Sequence, residues 1–132
     1  MLLHHVGIVV DNLAEAIPLF MVWMHAQPVG GIVEDEAQGA RIQLLLINSE
    51  TLLELVEAIP GVESTLHHSG EFHLCYTVPD LDTEMQRLHE LGAVVTHPTI
   101  NAAPFENRRM AFLATHSGQL LELLEDPAMS VQ

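Results

Sequence analysis

The sequence predicts an α+β protein in which one βαβββ unit occurs twice, and three observations carry that prediction. First, the chain matches itself at a single offset. HVGIVVDNL, starting at His5, lines up with HLCYTVPDL, starting at His73, 68 residues later. The same offset lays TLLELVE (residues 51–57) on QLLELLE (residues 119–125), Arg41 on Arg109, Leu45 on Leu113 and Ser49 on Ser117. One register held without a gap from the first strand-like run to the last marks an internal duplication. Second, each half reads as the same series of one strand, one helix and three further strands. Third, a four-stranded sheet with a single helix cannot bury both of its faces alone. Two such curved sheets, side by side, are expected to enclose a central cavity with the helices outside.

Each element follows from local chemistry. Residues 5–10 and 72–78 are β-branched or aromatic runs of the kind strands prefer. Asp11-Asn12 and Pro79-Asp80 follow them with side chains suited to helix N-caps. In the first helix Leu13, Ala16, Ile17 and Phe20 recur at helical spacing, and Met21, Trp23 and Met24 at its end read as core or a subunit contact. In the second, Leu81, Met85, Leu88 and Leu91 do the same, and Gly92 ends it. Strand-like runs at 27–33, 41–47 and 51–56 complete the first half, and runs at 93–97, 108–114 and 119–124 complete the second. Asn48-Ser49-Glu50 and His116-Ser117-Gly118 supply the last turn of each. The modules are thus 1–57 and 71–132, and Pro60, Gly61 and Gly70 mark residues 58–70 as their linker.

Composition narrows the function. With 132 residues, of which 48% are hydrophobic, the chain is globular rather than disordered. No apolar run approaches the roughly 18 residues that span a bilayer. The N-terminus lacks the basic flank of a signal peptide. Cys75 is the single cysteine, which excludes an intramolecular disulfide and a thiolate zinc cluster and suits a reducing cytoplasm. A net charge of −14 excludes a nucleic-acid surface, which needs clustered cations. There is no lysine, so Schiff-base chemistry on a lysine amine is excluded; the cations are Arg41, Arg87, Arg108 and Arg109. Nine histidines beside so much acid leave a metal site open.

The duplicated positions that carry chemistry are His5, Glu54, His73 and Glu122, with 49 residues from His to Glu in both halves. Each His opens the first strand of its unit and each Glu lies inside the last. Leu53 and Leu55 flank Glu54, and Leu121 and Leu123 flank Glu122, so strand alternation turns the carboxylates away from the leucines and the helix. Buried carboxylates are costly, and two of them repel, unless a cation lies between them. Two imidazoles and two carboxylates suit one divalent ion of Zn, Co, Ni, Mn or Fe, with positions left for water or substrate. Of the other candidates, His4 is expected on the opposite face from His5 and exposed. His67 and His68 are read as solvated linker, and His25, His89, His97 and His116 as surface. Cys75 shares the face of His73 and reads as a core filler. Arg41 and Arg109, being repeated, read as structural. Arg108, unmatched in the repeat, is the candidate partner for an anionic group of a ligand.

LHHVGIVVDNLAEAI resembles the opening of the vicinal oxygen chelate proteins, the glyoxalase superfamily. FHLCYTVPDLDTEMQRLHELGAVV followed by NRRMAFLATHSGQLLELLE resembles their second module. The likeness runs over the whole chain. It implies metal ligands at His5, Glu54, His73 and Glu122, a homodimer, and a small-molecule substrate. Within the superfamily the chain is most similar to methylmalonyl-CoA epimerases, where a glutamine often stands at the position of Glu54; lactoylglutathione lyases have Glu there. The activity implied is isomerisation or epimerisation through an enolate of a small carbonyl or thioester compound, with Glu54 and Glu122 as the catalytic carboxylates. Some epimerases have a glutamate base at about the position of Gln43, which here is expected to contact substrate, as is Arg108. Proton removal then falls to a metal-ligand glutamate. With Arg108 and Arg109 in its half, Glu122 is expected to be the firmer ligand and Glu54 the base. NAAPFENRR replaces a glycine-rich loop at the substrate entrance. Rival readings are a lactoylglutathione lyase like glyoxalase I, an Fe(II) ring-cleaving dioxygenase using two His and Glu122, which leaves Glu54 an unexplained buried acid, and a non-catalytic resistance protein, a group that generally lacks these ligands.

Overall fold

The computed structural model describes residues 1–62 and 69–129. Its elements follow the order β1 (Leu2–Val9), α1 (Leu13–Met24), β2 (Ala26–Asp35), β3 (Ala40–Ile47), β4 (Thr51–Ala58), β5 (Phe72–Val78), α2 (Leu81–Glu90), β6 (Val94–Ala102), a 3-10 turn (Ala103–Phe105), β7 (Arg108–Ala114) and β8 (Leu120–Glu125). The chain divides into two compact units. One is His5–Phe72, and the other joins Met1–His4 to His73–Gln132. Each has the βαβββ order read from the sequence.

In the first unit the strand order is β2-β3-β4-β1, and in the second it is β6-β7-β8-β5. β1 runs parallel to β4 with Gly7 opposite Glu54, while β3 runs antiparallel to β4 with Leu44 opposite Glu54. In the second unit Cys75 and Phe112 lie opposite Glu122 in the same two ways. Every one of these partners is its counterpart moved by the offset of the repeat. The duplication therefore extends from residue identity to hydrogen-bond register.

Both helices start on side-chain caps. Asn12 accepts the Glu15 N–H at 3.0 Å, and Asp80 accepts the Thr83 N–H at 3.0 Å. That backbone N–H holds the Asp80 carboxyl below the usual carboxylate range. A glutamate from the end of each unit's last strand adds to the cap. Glu57 accepts the Leu13 N–H at 3.1 Å and Glu125 accepts the Leu81 N–H at 2.8 Å. Arg41 then donates to Glu57 at 3.4 Å and to Glu34 at 3.0 Å, and Arg109 donates to Glu125 at 3.3 Å and to Asp82 at 2.9 Å. The arginines thus tie strand ends to helix starts, the structural role their repetition predicts.

Helix α1 runs through Pro18, whose ring removes one helical hydrogen bond at a cost of about 3 kcal/mol. Packing offsets it. Ile17, Phe20, Met21 and Met24 lie against the buried cluster of Leu13, Ala16, Ala26, Leu45, Leu53 and Leu55, and each large apolar side chain fully buried is worth roughly 1.5–3 kcal/mol. Under α2 the corresponding cluster is Val78, Leu81, Ala93, Ala111, Leu113 and Leu123. Leu53 and Leu55 beside Glu54, and Leu123 beside Glu122, accordingly face the helices.

Several local expectations change. β4 extends through Ala58, the first residue assigned to the linker, because Ala40 continues to pair with it. β6 extends to Ala102, well past residue 97, with register shifts that accommodate Pro98. NAAPFENRR is therefore the end of a strand, a 3-10 turn and a tight return through Glu106 and Asn107, both left-handed, into β7. His4 is half-buried rather than exposed: its ring meets the edge of Phe105, with centroids 4.9 Å apart. His97 is half-buried as well, while His25, His89 and His116 are exposed. His67 and His68 lie outside the described residues. No helix among the described residues is long and apolar enough to cross a membrane.

Candidate metal centre

The parallel pairing in each unit builds a pair of facing donors. Gly7 lies directly opposite Glu54, so His5, two residues earlier, leaves the sheet on the same face. The His5 Nε2 atom is 3.6 Å from Glu54 Oε1, and each residue is 1% exposed. In the second unit Cys75 takes the place of Gly7, and His73 Nε2 is 3.0 Å from Glu122 Oε1. His73 is 4% and Glu122 1% exposed. Cys75 is buried, as expected of a core filler.

The neighbouring strand supplies an apolar wall. Leu44 stands beside Glu54 in the first unit, and Phe112 beside Glu122 in the second. The Phe112 ring meets His73 edge to face, with centroids 5.3 Å apart, and so fixes the imidazole plane. A buried carboxylate against an apolar wall needs positive charge or hydrogen bonds. Each unit thus presents one imidazole nitrogen and one carboxylate oxygen from buried side chains. An imidazole nitrogen and a carboxylate oxygen are donor types that Zn, Mn, Fe(II), Co and Ni accept, so the residues of each unit fit a share in holding a divalent ion.

Two sequence-derived assignments need correction. Gln43 pairs with Leu55, not Glu54, so its side chain leaves β3 on the helix-covered face. Its amide nitrogen donates to Gly30 O at 3.1 Å and to Leu44 O at 2.9 Å, bracing the β2 bulge, where Gly30 adopts a φ of +68°. Its amide thus braces the backbone rather than standing beside Glu54. Similarly, Arg109 does not bear on Glu122. It projects toward α2, where its hydrogen bond to Asp82 holds its pKa above the ordinary arginine value. Arg41 does the same in the first unit with Glu34, so the repeated arginines cannot distinguish the two glutamates. Arg108 projects from the same face of β7 as Phe112. The carboxylates missed from sequence are Glu57 and Glu125. Their signal was present, because both keep the repeat offset together with the arginine and the helix start they join.

A duplicated βαβββ unit with one buried His–Glu pair in each copy defines a paired-module class of α+β proteins. Residues 4–112 match the family model described as the glyoxalase/bleomycin resistance protein/dioxygenase superfamily, and the chain belongs to that superfamily. A 2-epi-5-epi-valiolone epimerase from Actinomyces sp. is 30% identical over 95% of this chain and 79% of its own length. Methylmalonyl-CoA epimerase from Mycobacterium tuberculosis superimposes with a TM-score of 0.76 at 27% identity, over 96% of this chain and 88% of that one. A variant of the Streptomyces coelicolor methylmalonyl-CoA epimerase, solved with 2-nitronate-propionyl-CoA, has a TM-score of 0.75 at 21% identity, over 97% and 99% of the two chains. These relatives bear out the α+β fold and the family resemblance.

Proposed function

We propose that this protein is a metal-dependent epimerase or isomerase of a small carbonyl or thioester compound, and that His5, Glu54, His73 and Glu122 together hold its one divalent ion. The observation that carries this reading is the repetition, at one offset and in one strand register, of a buried histidine facing a buried glutamate. A lone pair of this kind is a common core feature. Its duplication inside a superfamily whose members here are epimerases is not.

When bound, the ion supplies Lewis-acid polarisation that acidifies the carbon–hydrogen bond beside the substrate carbonyl. The chain does the rest. Leu44 and Phe112 exclude water around the carboxylates. Glu54 accepts the proton, and Glu122, once it has taken a proton from solvent, returns that proton to the opposite face, which inverts the centre; Glu54 then releases its proton to solvent. The two copies differ in the contact itself, His5 Nε2 standing 3.6 Å from Glu54 and His73 Nε2 3.0 Å from Glu122. Both glutamates have work in this scheme, whereas a dioxygenase triad leaves one of them idle.

The test is elemental analysis of the purified protein, followed by incubation of methylmalonyl-CoA and of 2-epi-5-epi-valiolone in deuterated water. About one divalent ion per chain and exchange of a substrate hydrogen are expected. Metal with oxygen consumption and no exchange would replace this reading with the dioxygenase, and tight binding with neither would replace it with sequestration. The outer face of α1, with Val22 75% and Trp23 67% exposed, is where we place a homodimer contact; a monomer by light scattering at micromolar concentration refutes that. The single cysteine suits a reducing cytoplasm.

A further inference from the structure

Three of the four arginines have carboxylate partners. Arg41 pairs with Glu34 and Glu57, Arg87 with Glu84, and Arg109 with Asp82 and Glu125. Arg108 has none among the described residues. Its Nε and Nη2 atoms are buried without a hydrogen-bond partner. These two nitrogens form the side-on edge of the guanidinium, whose parallel N–H groups match the paired oxygens of a carboxylate or phosphate. Arginine cannot escape burial by losing its proton, as lysine or histidine can. An unpaired buried edge therefore works against folding unless something outside the chain satisfies it.

The position of Arg108 argues against a purely structural role. The repeat sets Ala40 opposite it in the first unit, where that alanine is fully buried, so the fold is built without a guanidinium at this place. The structural arginine of each unit is its neighbour, which points to the helix. Arg108 is the first residue of β7, paired with Ala102 across the turn through Glu106 and Asn107. The Asn107 N–H closes that turn on Ala102 O at 3.0 Å. The guanidinium therefore springs from a fixed strand end. It lies on the same sheet face as Phe112, which stands opposite Glu122. Four residues of strand separate Arg108 from Phe112, roughly 13 Å at about 3.3 Å per residue.

We propose that Arg108 is an anion subsite and sets substrate class: its Nε–Nη2 edge takes a carboxylate or phosphate group at the end of the substrate remote from the reacting carbon. This rests on the reading above for the position of that carbon, next to His73 and Glu122. The substrate is then a carbonyl or thioester compound whose anionic group lies within about 13 Å of the exchanging hydrogen. A neutral sugar-like compound leaves the edge unpaired.

The experiment is calorimetric titration of the metal-loaded protein with inorganic phosphate and, separately, with succinate. Wild type, Arg108→Gln, Arg108→Lys and the control Arg87→Gln are compared, with melting curves to establish that each variant is folded. Saturable binding at one site per chain is expected for at least one of the two anions, and the preferred anion identifies the substrate group. Arg108→Gln should weaken it at least about tenfold, Arg108→Lys should lie between because a point charge replaces a fork, and Arg87→Gln should match wild type. Absence of saturable binding in the wild type, or equal binding by Arg108→Gln, overturns the subsite; full affinity in Arg108→Lys overturns the bidentate geometry. Because the readout is binding rather than turnover, His73→Ala separates the two proposals. Anion binding retained in that variant keeps the subsite even where no substrate exchanges its hydrogen.

Discussion

The two repeats compare one design carried out twice, and their differences separate what the fold requires from what has been added. Common to both are the strand registers, an Asn or Asp cap, a glutamate joining an arginine to the helix start, and a histidine facing a glutamate from two residues before a small residue. These follow from geometry alone. Where the copies diverge, the divergence lies mostly on the face that carries His73 and Glu122. Ala40 becomes Arg108, Leu44 becomes Phe112 and Gly7 becomes Cys75. On the opposite face, Gln43 of the first copy, bracing the β2 bulge, becomes the buried Ala111. The first copy thus puts its distinctive residue into holding its own backbone, and the second puts its distinctive residues beside the candidate site.

The largest expected break in this symmetry concerns the glutamates. Glu54→Gln should keep the metal by elemental analysis yet slow substrate hydrogen exchange by at least about two orders of magnitude, as loss of a general base does. Glu122→Gln should instead lower metal content, and His73→Ala should remove most of it. Near-normal exchange in Glu54→Gln would move the base elsewhere. Full metal content in His73→Ala would dissolve the proposed donor set.

Next in size is the packing under the helices. Leu55 and Leu123 are both fully buried and occupy the same position of the repeat. Leu55→Ala and Leu123→Ala should each destabilise by about 2–5 kcal/mol in denaturant titration. Similar losses are expected because the two clusters are equivalent by register. If one variant loses much more than the other, the units differ in how far they can collapse around a void.

A smaller effect is expected at the helix starts. Glu57→Ala and Glu125→Ala each remove a hydrogen bond to a helix N–H and leave an arginine with one fewer partner. Each should cost about 1–2 kcal/mol. Glu125→Ala should be the costlier, since its bond to the helix is the shorter, 2.8 Å against 3.1 Å. The reverse order would show that the arginine contacts outweigh the cap.

The sequence made the repeat legible because its offset never slips, and with it all eight strands, both caps and the four buried donors. What it hid was non-local or one step removed from the repeat. The His4 contact with Phe105 joins residues far apart in the sequence, so alternation alone sent His4 to solvent. Gln43 was placed by resemblance, although counting outward from Leu45, a core position, turns it toward the helix. Arg109 beside Arg108 suggested a cationic patch at Glu122, but adjacent strand residues point to opposite faces. The run read as 93–97 continues past Pro98 through shifted pairing, since an edge strand tolerates a missing donor.

The smallest effect distinguishes the caps. Asn12 cannot titrate, whereas Asp80 can, and the Thr83 backbone N–H holds its pKa below the ordinary value of 3.8. A carboxyl whose folded pKa is depressed contributes stability that is fully present above its unfolded pKa and is lost as pH falls through the folded one. Acid should therefore loosen α2 through its cap while leaving the α1 cap untouched. Asp80→Asn makes the second copy like the first, because asparagine caps about as well without a proton to gain. Melting temperatures followed from about pH 6 down to about pH 2 should show wild type and Asp80→Asn nearly parallel until the acid end, where wild type falls more steeply. The converse variant, Asn12→Asp, should bring the same steepening to the first copy. Identical slopes in all three proteins would mean that other carboxylates set the acid limit and that the choice of cap does not distinguish the repeats.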